Sequence, residues 1–134
     1  MTFAILIALL TALAVAADIF DVTKTVQGIK LGVGIEANEL ITTIARTDKP
    51  SAAVLYAINL FAIAAYTLAG FIGLFVTLPG FVGVGLVAGS IVILPIAAVK
   101  HIQGGREWIW MMKNPMKKLP QPSTIWQKFV GVWV

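Results

Sequence analysis

The sequence predicts an all-α integral membrane protein with three transmembrane helices: a short N-terminal span, then a tight hairpin, with an interfacial C-terminal tail. Three observations predict it. The 134 residues are 59% hydrophobic and only 12% charged, where an average soluble domain carries roughly 25% charge. A soluble domain of this size needs more charge to cover its surface, and disorder needs lower hydrophobicity. No charged residue occurs from Pro50 to Val99. All ten basic residues, finally, fall into two segments that flank this uncharged stretch.

The first span is expected over about residues 2–23. Phe3 to Ala17 is free of charge, and Asp18 follows, which is near the short limit for crossing a core roughly 30 Å thick. Ala14-Val15-Ala16 superficially resembles a signal-peptidase site. No basic residue precedes the apolar core, however, and helical patterning continues through the site, so a retained span is expected. The uncharged stretch is about twice what one helix needs. Leu78-Pro79-Gly80 supplies a turn inside it, proline lacking its donor and glycine tolerating positive φ. Two helices follow, over about 53–77 and 81–100, with a kink expected at Pro95. Helices joined by so short a turn place both basic segments on one face. Lys24, Lys30, Arg46 and Lys49 precede the hairpin, while Lys100, Arg106, Lys113, Lys117, Lys118 and Lys128 follow it. The positive-inside rule makes that face cytoplasmic, leaving the N-terminus outside and the C-terminus inside, in a cell inner membrane or a virion membrane.

Residues 18–50 carry the one polar constellation with recognisable spacing. Asp21, Thr25, Gly28 and Gly32 recur at helical intervals along one stripe, Gly28 and Gly32 being expected to let another helix pack closely, followed by Glu36 and Asn38. The Gly32 to Asn38 stretch predicts a helix break before a short second helix through Thr43. Two readings stand side by side. In the functional one, Asp21, Thr25, Glu36 and Asn38 form a polar site at the membrane boundary for an ion, a lipid headgroup or a proton. In the structural one, which is favoured, Asp21 pairs with Lys24 and Glu36 and Asn38 cap a turn, since Asp18 and Asp21 fall where water is available.

The run from Asp21 and Thr25 through Gly28-Ile29, Leu31-Gly32 and Glu36-Ala37-Asn38 to Leu40 resembles the signature of an uncharacterised family of small prokaryotic multi-pass membrane proteins. Glu39 stands where that family places proline, at the position that would mark a helix start. The resemblance implies a multi-pass membrane protein and marks these residues; it implies no reaction.

The hairpin is rich in small residues. Gly70, Gly73, Gly85 and Gly89 are expected to pack helices closely, with Gly85 and Gly89 spaced as a small-xxx-small pair. Packing within the hairpin is the simpler use, a seam between subunits the sharper one. Asn59, Tyr66 and Thr67 share a face of the first hairpin helix and are expected to bond between helices rather than line a pore. Every tryptophan lies in the last part of the chain. Residues 1–103 are thus read as the transmembrane domain, and 104–134 as a basic, Trp-rich interfacial or docking tail. Trp108, Trp110, Lys117, Lys118, Trp126 and Trp133 are its expected anchors. Thr124 and Gln127 are placed to cap a final short helix. Membrane lipid or a neighbouring subunit suits this tail better than nucleic acid.

Templates for catalysis fail. There is no phosphate-binding loop, no nucleophile elbow, no metal-ligand pair and no visible histidine–carboxylate arrangement; His101 stands alone, and neither Asp18/Asp21 nor Glu36/Glu39 has the context of a buried acid. With no cysteine, thiolate metal sites and cysteine nucleophiles are excluded. The sequence therefore points away from an enzyme, a metal or a cofactor. It favours a small structural or accessory membrane subunit, such as a virion-membrane or pilus-like subunit, that assembles with itself or with a larger complex. The alternative is an oligomeric channel or transporter for ions or small solutes built around the Asp21/Thr25/Glu36/Asn38 stripe. A membrane-lesion protein is a third possibility.

Overall fold

The computed structural model describes residues 2–115 together with 117, 119, 121, 123 and 124. They form four helices and no strand: α1 (Thr2–Lys30), α2 (Glu39–Ala45), α3 (Ala52–Phe75) and α4 (Val82–Lys113). Three of these, α1, α3 and α4, are long and apolar enough to cross a membrane. Lys118, Trp126, Lys128, Trp133 and the expected final helix from Ile125 onward lie outside the described residues.

Two helices overrun their expected ends. The first runs on beyond the span expected to end near residue 23, its carboxylates finding partners on the neighbouring helices, and ends at Lys30, where the Gly32 to Asn38 stretch breaks it as expected. It stops at a glycine cap. Gly32 takes φ +70°, the Gly32 amide donates to Ile29 O at 3.0 Å, and the Val33 amide donates to Gly28 O at 3.1 Å, the paired bonds that close a helix C-terminus on a left-handed residue. Gly32 is thus a terminator rather than a packing residue, with open space around it. The last helix runs on through Pro95 to Lys113, so residues 104–113, expected at headgroup level, are its final turns. The hairpin turn sits where Pro79 and Gly80 place it, Gly80 at φ +58°. Ser51 caps α3, its Oγ accepting from the Val54 amide at 3.4 Å.

The three long helices pack on one another, α1 against α4 most extensively. At the hairpin end the core is dry: Ile7, Ala14 and Ala17 meet Ile63, Leu94 and Ala98. Small residues set the distances there. A Cβ on Gly73 would lie 2.6 Å from Gly83 O, and one on Gly70 would lie 2.8 Å from Ile7 Cδ1 and Ser90 Oγ. Hydroxyls bridge the helices within this core, as expected of Thr67: Thr11 and Thr67 share a 2.8 Å hydrogen bond, and Ser90 Oγ donates to Tyr66 O at 2.7 Å. Tyr66 enters through its carbonyl only, its side chain being exposed. Gly85 and Gly89 do not pack within the hairpin. Among the described residues nothing lies within 4 Å of a Cβ at either, so their face of α4 is left open. Phe61, Phe75, Phe81 and Val84 also point outward, an arrangement that suits acyl chains rather than water.

Candidate functional site

Toward the opposite end the bundle opens into a cavity of about 330 Å³. All four residues of the predicted polar stripe line it: Asp21 and Thr25 from α1, Glu36 and Asn38 from the segment that follows. Opposite them stand Asn59 of α3 and Lys100, His101, Gly104, Glu107 and Trp108 of α4. Asp18 lies about 24 Å along α1 from Thr2, taking 1.5 Å per residue, so the cavity falls toward the far edge of a core about 30 Å thick.

The centre of the site is a histidine between two carboxylates. His101 Nδ1 is 2.9 Å from Asp21 Oδ2 and 3.7 Å from Asp18 Oδ1. An ionised carboxylate only accepts, so Nδ1 carries the proton and donates to Asp21. Thr25 Oγ1 donates to Asp21 Oδ1 at 3.4 Å. Asp18 is wholly buried; Asn59 Nδ2 donates to its Oδ1 at 2.7 Å, and its Oδ2 has no hydrogen-bond partner among the described residues. Burial of a carboxylate is tolerable only with such partners.

Several expectations are corrected here. Asp21 pairs with His101 and Thr25, not with Lys24, whose Nζ instead donates to Gln27 Oε1 at 3.2 Å. His101 is not alone, and a histidine–carboxylate arrangement exists. Asp18, expected near water, is inside. The other half of the structural reading holds: Asn38 Oδ1 caps α2 by accepting from the Leu40 amide at 3.0 Å, and Glu36 Oε1 accepts from the Asn38 amide at 2.8 Å. Asn59 forms an interhelical hydrogen bond, as expected.

Glycine explains how the charged groups come so close. A Cβ at Gly104 would lie 2.7 Å from Asp21 Oδ1, and Gly105 beside it faces the ring of Phe20. Gly28, expected to pack helices, does so by receiving the Trp108 indole, which also packs on Gly34. Trp108 is therefore a buried wall of the cavity, not a headgroup anchor. Trp110 is half-buried, its carbonyl accepting from Asn114, while Lys117 is exposed as an anchor would be. His101, Gly104, Gly105 and Trp108 fall at helical intervals along one face of α4, a spacing readable in the sequence. Their partners across the bundle were not readable.

Among the described residues no group of three or more His, Asp or Glu side chains could hold a metal ion. Asp21, Glu36 and Glu107 bring carboxylate acceptors to a cavity otherwise walled largely by apolar side chains, and its histidine is able to hold or pass one proton. No family model matches the chain, and neither a curated protein nor a solved structure does.

Proposed function

We propose that this chain is a small structural or accessory subunit of a membrane, inserted in lipid and assembling with itself or with a larger membrane complex, without catalysis. The observation that carries this reading is the open face of α4. Gly85 and Gly89 are spaced for close helix contact, and no described residue occupies that space. The core beneath the cavity supports it as well: Ile7, Ala14, Ile63 and Leu94 fill the space between the helices there with apolar side chains. Extraction in mild detergent tests it. The particle should have a mass above one chain, or bring a partner with it, and Gly85→Leu should reduce it to a single folded chain. A monodisperse single chain with nothing bound overturns the proposal.

The second reading, an oligomeric channel or transporter for ions or small solutes, is favoured by the convergence of Asp21, Thr25, Glu36 and Asn38 on one cavity. It requires flux in sealed vesicles that Asp21→Asn and Glu36→Gln each abolish. For either reading we place the N-terminus outside and the C-terminus in the cytoplasm, from the basic flanks alone. Impermeant labelling of Lys49 and Lys113 from the same side of the membrane supports that orientation, and labelling from opposite sides rejects it.

A further inference from the structure

We infer that the cavity between α1, α3 and α4 is a binding site for a primary ammonium group, carried by a free small amine or by the headgroup of an aminophospholipid. This deepens the second reading by naming a ligand class, and it needs binding only, not movement across the membrane.

The first support is a local reversal of charge. The chain has a net charge of +4, and the cavity lies at the end of the bundle where the basic segments gather. Yet its wall takes Asp21, Glu36 and Glu107, three of the six acidic residues in the chain. Among the described residues two of them are met by neutral donors alone: the Asn38 amide for Glu36 and the Gln103 side-chain amide for Glu107. No ion pair to either is formed among the described residues. Lys100, the lysine in the wall, is exposed and makes none either.

The second support is a buried carboxylate oxygen with no hydrogen-bond partner among the described residues. Asp18 stands behind the wall, bonded to Asn59 and within 3.7 Å of His101, both of which line the cavity. Its Oδ2 is unpartnered. Carboxylates in excess of cationic partners among the described residues, set beside the apolar Trp108, Leu55 and Ile41, favour a cation more strongly than the same groups fully in solvent would.

Shape and donor count narrow the cation. An ammonium group brings three N–H donors and no acceptor, which matches a wall of carboxylate, hydroxyl and amide oxygens. A volume of about 330 Å³, at the small end of ligand sites, admits an aminoethyl group together with more of the molecule that carries it. Metal-holding clusters are absent among the described residues, and an anion would face three carboxylates.

The full-length chain in dodecyl maltoside, titrated with radiolabelled ethylammonium chloride by equilibrium dialysis, tests the inference. Binding should saturate at one per chain. Tetramethylammonium, which has the charge but no N–H, should compete at least tenfold less well on the unaltered protein. The double variant Glu36→Gln/Glu107→Gln should bind at least tenfold more weakly, with Glu39→Gln/Asp48→Asn within twofold of the parent. A parallel arm in nanodiscs, read by native mass spectrometry, should decide the source: preferential retention of phosphatidylethanolamine over phosphatidylcholine, lost in the double variant, assigns the lipid headgroup. Equal competition by tetramethylammonium overturns the proposal. So does the lack of both saturable ethylammonium binding and lipid preference. Binding without flux would end the transport reading and leave this one standing.

Discussion

At the hairpin end of the bundle the helices meet through missing side chains, and at the opposite end through charged ones. Gly73 and Gly83 bring backbones together around a dry core; Asp18, Asp21, Asn59 and His101 tie the same three helices around a cavity. The difference teaches where tolerance lies. Close glycine contact against backbone has no slack, because a carbonyl cannot rotate away. A polar cluster has slack in rotamers but incurs the desolvation of whatever is left unpaired.

The largest effect expected from this contrast is at Gly73. Its missing Cβ would lie 2.6 Å from Gly83 O, so Gly73→Val should destabilise the single chain by about 3 kcal/mol, the upper range for overpacking. Gly85→Val, on the open face, should change the stability of one chain by less than about 0.5 kcal/mol. Reversible unfolding in mixed micelles measures both. Equal losses at the two positions would erase the distinction between packed and open glycines.

At the polar end, Asn59→Ala removes the donor to a wholly buried carboxylate. An unsatisfied buried acceptor costs about 2 kcal/mol, and the same unfolding assay should show it. A restoring variant sharpens the result: Asn59→Ala combined with Asp18→Leu removes both polar partners and should recover part of the loss, because neither group is then left unpaired. No recovery would mean that Asn59 acts through packing alone.

The two ends also differed in how much of them could be read in advance. Spans declare themselves through composition along the chain, so the apolar runs gave α3, the hairpin turn and the start of α4. The stripe of Asp21, Thr25, Glu36 and Asn38 was legible because helical spacing is local. The rest of the site is not local. Asp18 meets Asn59, 41 residues away, and Asp21 meets His101, 80 residues away; no periodicity in one helix announces a partner on another. The same ignorance shortened α1. Asp18 and Asp21 look like the end of a span when their partners are unseen, and like its interior once Asn59 and His101 are opposite them. Trp108 was assigned to the membrane surface for a related reason: an indole among lysines reads as an interface anchor until Gly28 and Gly34 supply a groove for it.

The smallest effect tests whether the dry end is dry in its energetics as well. Thr11 and Thr67 share a 2.8 Å hydrogen bond between α1 and α3, but each hydroxyl also lies 2.8 Å from a carbonyl of its own helix, Ile7 O and Ile63 O, so that when one donates across the bundle the other is free to donate to its backbone. A hydroxyl with a backbone acceptor available loses little when its cross-helix partner goes. Thr11→Val, nearly the same shape, should therefore cost about 0.6 kcal/mol, the average for a hydrogen bond between helices in lipid, against about 2 kcal/mol for Asn59→Ala. A loss at Thr11 as large as that at Asn59 would show that hydroxyl pairing, and not the close approach of Ile7 at Gly70, holds the hairpin end to α1.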